Sequence, residues 1–198
     1  ASGGKDSSYT AWTIREMGAR PLLARWAPHV ATDVGERNWQ SLLHAGFDGV
    51  TAQPNGLLHR KLSRLALEYY GDNFLPFIFG QLAWPFHVAV QNNVRLVFFG
   101  ENGESEYGGD PSAADKPCWD DAHWDRVYQK GASVDKLMYI AKALGAISQT
   151  EYECPFYRLP QVDDKPEFHW LSFYLRWAPQ QNFYHASAHT GFEPCDQR

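Results

Sequence analysis

Ser2-Gly3-Gly4-Lys5-Asp6-Ser7 follows a single alanine and runs directly into a helical pattern, Ser8 to Gly18. In that pattern Tyr9, Trp12, Ile14 and Met17 form a mostly apolar stripe, and Gly18 supplies a stop. Two adjacent glycines lack β-carbons, so the backbone can turn sharply there and bring its N–H groups onto a phosphate. The helix start adds unsatisfied amides and the positive end of its dipole. Ser2 and Ser7 supply hydroxyl donors and Lys5 a mobile positive charge, while Asp6 is suited to cap the helix or help hold Mg²⁺. The loop is shorter than the Walker arrangement, in which four residues separate the first glycine from a Gly-Lys-Ser/Thr end. Read alone, the six residues also fit a glycine-rich tail with a helix cap. A phosphate loop of this kind needs a buried strand leading into it. The expectation is therefore that these residues are the nucleotide-binding middle of a longer protein, incomplete at both ends.

Working outward, short apolar runs alternate with longer helical patterns. Pro21 to Ala27 reads as a buried strand, Arg37 to Ala45 as a helix closed by Gly46, and Phe47 to Thr51 as a short strand. Pro54-Asn55-Gly56 is a turn before a strong helical period from Leu58 to Tyr70. A further helix falls within Phe77 to Asn92, where Pro85 should bend or interrupt it. Arg95 to Phe99 is the clearest strand, and Ser133 to Leu144 a helix capped by its serine with Gly145 behind it. This rhythm predicts an α/β fold with a parallel sheet covered on both faces. One domain is expected over residues 1–198, with an aromatic-rich substrate or packing extension over 146–198. No repeat or low-complexity linker marks a split.

The totals exclude several classes. At 198 residues the chain is long enough for one good hydrophobic core, and at 44% hydrophobic it is not disordered. A net charge of -5 gives no general attraction to nucleic acid or anionic membrane, and no apolar run is long enough to cross a bilayer. Cys118, Cys154 and Cys195 are too far apart for a redox pair or a local zinc knuckle, which sets a cytoplasmic expectation with reduced thiols. The eight histidines show no compact ligand spacing.

A second constellation, Gly100 to Asp110, directly follows the clearest strand. Ligands of parallel-sheet proteins collect beyond the carboxyl ends of strands. Glu101, Glu104, Glu106 and Asp110 put four carboxylates in a stretch without a positive charge. Such a group suits cations, amines or donor-rich hydroxyls, and equally a solvated surface loop. Three turns fall at corresponding strand ends: Trp26-Ala27-Pro28-His29, Gln53-Pro54-Asn55-Gly56 and Gly80-Gln81. The first offers backbone groups to an adenine edge, and the amides of Asn55 and Gln81 suit sugar hydroxyls or an acetamido group. His87 fits a packing role at least as well as a catalytic one, and Trp84 and Phe86 read as packing. Near the end, Trp177 to Tyr184 and His189 to Phe192 combine rings with amides; sugar binding and core packing fit equally.

These pieces resemble a known family. Ser2–Ser7 matches the pyrophosphate loop, SGGxDS, of the N-type ATP pyrophosphatases. SGGKDSSY at Ser2–Tyr9, WAPH at Trp26–His29, PNGLLHR at Pro54–Arg60, FFGENGESEYGGDP at Phe98–Pro111 and HTGF at His189–Phe192 more narrowly resemble the N-acetyl sugar amidotransferases of bacterial surface-polysaccharide biosynthesis. The resemblance implies a Rossmann-like sandwich of the adenine nucleotide alpha hydrolase type, here without its first strand. It implies ATP phosphates on Ser2, Gly3, Gly4, Lys5 and Ser7, adenine near Ala27, and Mg²⁺ with help from Asp6. A sugar acetamido oxygen would be adenylated, and ammonia would displace AMP to leave an acetamidino group. Ammonia would come from a partner glutaminase, since none of the three cysteines has a motif for that role. Catalytic roles fall to Lys5, Asp6, Glu101 and Glu104, and contacts to a nucleotide-linked N-acetyl sugar to Asn55, Gln81, Asn102, Glu106 and Tyr107.

The chain departs from the family at its ends. A cysteine-rich zinc-like segment and the entering strand, usual in relatives, are absent, so zinc is expected only in a preceding segment. Without its central strand the isolated stretch is expected to fold poorly or be inactive. Rival readings are an amide synthetase, a tRNA thiolase, or a nucleotide-binding subunit without turnover. The acidic balance and isolated cysteines disfavour the thiolase.

Overall fold

The computed structural model describes residues 1–100, 116–118 and 131–195. It is a mixed α/β structure whose residues group into two compact units. One comprises Ala1–Ala52, Leu96–Cys118 and Phe168–Arg198, the other Gln53–Arg95 and Trp119–Glu167. The chain passes between them four times, so no linear boundary or linker marks either unit, and the 146–198 stretch is divided between them.

In the first unit, α1 (Lys5–Glu16) leads to β1 (Leu22–Trp26), α2 (Asp33–His44) and β2 (Asp48–Ala52). β1 and β2 pair in parallel, Leu22 opposite Asp48 through Trp26 opposite Ala52. This is the right product of a strand–helix–strand crossover. Ala11, Leu23, Trp39, Leu42 and Phe47 form the core between these elements. The α1 face differs from the expected apolar stripe: Met17 is exposed, while Ser8, Thr10, Ala11, Thr13 and Ile14 are buried.

The expected single sheet is realised as two separate two-stranded sheets, β1 with β2, and β3 (Leu96–Phe99) with β4 (Glu167–Trp170). Among the described residues no strand joins them. Ala1 N, at the head of the Ser2–Ser7 loop, donates to the Ala24 carbonyl of β1 at 2.5 Å. β4 itself was not evident in sequence, where residues 146–198 read as an aromatic-rich extension. Phe168 and Trp170 pack edge and tilted against Phe99, which accounts for the aromatic density there. The short α7 (Leu171–Tyr174) and then α8 (Pro179–Thr190) follow, and α8 packs along α1.

A buried charge ties β1 to α2. Arg25, with its side chain 5% exposed, forks onto both carboxylate oxygens of Glu36, which is 46% exposed. Hydrogen bonding from the guanidinium holds the Glu36 carboxyl below its ordinary 4.5. A depressed carboxyl contributes stability that is fully present above pH 4.5 and is lost as pH falls through the folded value. Glu36→Gln leaves Arg25 buried without its counter-charge. The expected cost is about 2 kcal/mol, below the range for fully buried pairs because one partner is half in water. Urea denaturation at neutral pH checks the cost, and a flatter stability profile below pH 4.5 in the variant checks its cause.

The second unit is helical. α3 (Gly56–Tyr70) buries Leu58, Leu62, Leu65 and Ala66, and α4 (Leu75–Gln91) buries Phe79, Leu82, Ala83, Phe86, Val88 and Ala89. Pro85 does not interrupt α4 as expected. It removes the donor for the Gln81 carbonyl, and Gln81 lies on the exposed side, where water can serve. α5 (Val134–Ala143) begins at a Ser133 cap, and α6 (Gln149–Tyr152) at a Ser148–Glu151 capping box. His87 lies near the end of α4, where Nε2 donates to the Pro155 and Arg158 carbonyls at 3.2 and 2.8 Å. The role it shows is in pinning that segment, not in chemistry.

Candidate functional site

The helix behind the phosphate loop starts three residues earlier than its sequence pattern indicated, at Lys5. Gly4 is the cap residue, extended at φ -72° and ψ 166°, and its carbonyl accepts from Ser8 N at 3.0 Å and Ser7 Oγ at 3.1 Å. No side chain caps α1. The amides of Lys5, Asp6 and Ser7 are therefore the first-turn donors of a twelve-residue helix. This corrects one expectation: Asp6 sits inside the first turn and is not the cap. Its carboxylate instead receives Lys5 Nζ at 2.6 Å on both oxygens.

Ser2 and Ser7 close the loop over the glycines. Ser2 N donates to Ser7 Oγ at 3.1 Å, the two hydroxyl oxygens lie 3.4 Å apart, and Gly4 N donates to Ser2 Oγ at 3.3 Å. Gly3 has φ +84°, and a β-carbon there would stand 2.8 Å from Trp39 N and 3.0 Å from Trp39 Cα. The second half of α2 is thus the wall on which the loop rests. Ser2 to Ser7 thus form one hydrogen-bonded turn at a helix start.

At the end of β1, Ala27 is buried, and its N–H donates to the Ala52 carbonyl at 3.0 Å, extending the β1–β2 ladder by one step. The donor half of the expected adenine contact is therefore spent. Any such contact falls to the Ala27 carbonyl.

The catalytic candidates Glu101 and Glu104 and the substrate candidates Asn102, Glu106 and Tyr107 lie outside the described residues. The residues flanking that stretch are described. Gly100 O accepts from Ser172 N at 3.1 Å, and Pro117 O from Trp170 N at 2.8 Å, so both flanks are held by the β4–α7 junction. A β-carbon on Gly100 would stand 3.0 Å from both Thr10 Oγ1 of α1 and the Trp177 ring. The acidic stretch thus departs from a point packed on the phosphate-loop helix. Trp177, one of the rings suited in sequence to sugar binding, is used here for packing, edge-on to Tyr9 at 5.4 Å between centroids.

Asn55 and Gln81 belong to the other unit. Asn55 Oδ1 accepts from Leu57 N and Leu58 N at 3.0 and 3.2 Å, capping α3, which leaves its NH₂ for a ligand. Gln81 stands on the exposed side of α4.

One residue of the loop wall was not evident in sequence. Asn38, 6% exposed in the middle of α2, donates from Nδ2 to the Glu193 carbonyl at 2.8 Å and accepts the Glu193 N–H on Oδ1 at 2.9 Å. Its side chain thereby reads a backbone as a neighbouring strand would. Arg37 Nη2 lies 3.4 Å from the Glu193 carboxylate. Beside this clamp a cleft of about 700 Å³ opens between the start of α2, from Ala31 to Arg37, and Glu193–Cys195. Asn38→Leu removes both bonds and strands the Glu193 backbone groups, at an expected cost of about 1–3 kcal/mol. Urea denaturation measures the loss. Amide exchange at Glu193 should rise with it, and unchanged exchange would disprove the clamp.

Among the described residues no group of three or more His, Cys, Asp or Glu side chains is placed to hold a metal ion by itself, and no helix is long and apolar enough to cross a membrane. The three cysteines are free thiols, Cys195 exposed and the others partly buried. No protein-family model matches the chain, and no curated protein matches it either.

Proposed function

We propose that this chain carries the ATP-cleaving centre of an amidotransferase. It would convert the acetamido group of a nucleotide-linked N-acetyl sugar to an acetamidino group through an adenylated intermediate, releasing AMP and pyrophosphate. The observation that carries the reading is the Ser2–Ser7 loop: a glycine held at positive φ against the α2 backbone, two converging serine hydroxyls, and a long helix whose first turn no side chain caps. Such a start attracts phosphate through its amides and its dipole. The parallel β1–β2 pair with α1 and α2 is read as part of a Rossmann-like nucleotide-binding sandwich.

In this reading the candidate residues take the following roles. Ser2, Ser7 and the Gly3 and Gly4 backbone hold the triphosphate together with the first-turn amides of α1. Lys5 exchanges the Asp6 carboxylate for phosphate oxygens and offsets the charge that develops as pyrophosphate leaves. Asp6, released, is the loop's own carboxylate for Mg²⁺, whose part is to neutralise phosphate charge. The Ala27 carbonyl accepts from the adenine amino group. Glu101, Asn102, Glu104, Glu106 and Tyr107 supply acceptors for sugar hydroxyls and for the proton released by attacking ammonia. Ammonia comes from a separate glutaminase, and the setting is cytoplasmic.

The test is incubation with Mg-ATP, ammonium and a panel of nucleotide-linked N-acetyl sugars. A sugar product in which NH has replaced one oxygen, formed together with AMP, is the expected result. ADP formation, or AMP that does not depend on the sugar, rejects the mechanism. Adenylation of an acid substrate would favour the amide synthetase, and nucleotide binding without turnover the non-catalytic subunit.

A further inference from the structure

The β3–β4 sheet carries a group of rings that the hydrophobic core does not absorb. Glu167 N donates to the Arg95 carbonyl at 2.9 Å and Ser172 N to the Gly100 carbonyl at 3.1 Å. The same offset holds at both ends, so the two strands run parallel and their carboxyl ends lie together. Successive side chains alternate between the faces of a strand. Val97 and Trp170 are buried on one face, with Phe99 and Phe168 packed against Trp170. Phe98 and His169 fall on the other, 6.1 Å apart between ring centroids and both partly exposed. Tyr174 of α7 reaches back to them, its hydroxyl oxygen 2.5 Å from His169 Nδ1, and Phe173 meets its ring edge-on at 5.0 Å. Within α7 only Leu171 is buried, while Phe173 and Tyr174 stay 47% and 51% exposed.

We propose that Phe98, His169, Phe173 and Tyr174 form a platform for a carbohydrate ring. That this carbohydrate is the N-acetyl sugar rests on the amidotransferase reading above. The four rings are joined in a chain of contacts, and a contiguous exposed patch marks a binding site where isolated exposed rings do not. A sugar presents C–H faces to rings and hydroxyls to polar atoms at their rims, and aromatic walls with a few fixed polar groups are the usual lining of small-ligand sites. His169 fixes the phenol in place. Whichever of the two carries the shared proton, the Tyr174 oxygen keeps a lone pair for a sugar hydroxyl. The rings also stand at the carboxyl end of a parallel strand pair, where ligands collect. The Ser172 bond ties α7 to Gly100, the residue that opens the carboxylate-rich run to Asp110. A nucleobase suits the platform less, because it stacks best between parallel faces. Phe98 is tilted at 48° to His169, and Phe173 stands at 85° to Tyr174.

The experiment measures binding of UDP-N-acetylglucosamine, UMP and ATP to the full chain by calorimetry, with saturation-transfer NMR on the sugar nucleotide. Tyr174→Phe should weaken UDP-N-acetylglucosamine about 2- to 12-fold, the loss of one hydrogen bond. Tyr174→Ala should weaken it about tenfold or more, since the ring is lost as well. UMP and ATP should bind both variants as they bind the parent, and saturation should reach the sugar-ring protons ahead of the uracil protons. Unchanged sugar-nucleotide affinity in Tyr174→Ala, an equal loss for UMP, or no binding of the sugar nucleotide by the parent overturns the platform. A parallel loss of ATP binding makes Tyr174 a structural residue and overturns it too. If Tyr174→Ala does not fold, Tyr174→Phe and the saturation pattern decide. Turnover plays no part in these measurements, so a failure to form AMP is read separately from them.

Discussion

Alanine at Gly3 is expected to destabilise the protein by about 2–5 kcal/mol and to remove detectable ATP binding. Two costs act at one atom. The residue holds φ +84°, a region that an L side chain enters at about 1–2 kcal/mol. The added carbon would also stand 2.8, 3.0 and 3.1 Å from Trp39 N, Trp39 Cα and the Asn38 carbonyl carbon. All three are helix backbone and cannot swing aside, so either the loop lifts or α2 shifts, at a further cost typical of overpacking, about 1–3 kcal/mol. Both responses open the phosphate cradle. Gly4→Ala is the control: φ there is -72°, and the new carbon meets only the Ser2 hydroxyl, at 3.3 Å. Urea denaturation and equilibrium binding of ATP, carried out on both variants, separate the effects. Equal losses at the two positions would remove the α2 wall from the explanation.

Lys5→Ala is expected to lower the rate of AMP formation about 100- to 1,000-fold, the range for removing one preorganised charge partner of a transition state. Its cost to stability should stay under about 1 kcal/mol, because the partly exposed pair with the adjacent Asp6 contributes little to folding. The two measurements must diverge. A rate within a few-fold of the parent removes Lys5 from the chemistry, whereas a large loss of stability makes it a structural residue.

The sequence disclosed most of the local elements and few of the ties between them. Periodicity located α3, α5 and β1 closely, because each has a buried face at a clear spacing and a recognisable start or stop. The start of α1 was missed by three residues because its cap, Gly4, carries no side chain for a capping pattern to show. α4 ran through Pro85 because the orphaned carbonyl is on a wetted side, and sidedness is a tertiary property. β4 was hidden because Phe168, His169 and Trp170 serve ring packing as much as alternation. Asn38 read as an ordinary helix residue, since its partner lies 155 positions away. Within the candidate site, the Ser2–Ser7 loop ahead of α1 was legible because its residues are consecutive. The wall it rests on, and the anchoring of Gly100 beside α1, come from elements remote in the chain, and no local pattern encodes them.

The interleaving of the two units also has a consequence for synthesis. α1 emerges from the ribosome near the start of this stretch and α8 near its end, with the entire helical unit made in between. α1 must therefore wait, without the cover of α8 over Tyr9, until translation reaches Pro179–Thr190. Closing so long a connection slows this docking. It also makes the nascent first unit dependent on protection from aggregation until its last helix arrives.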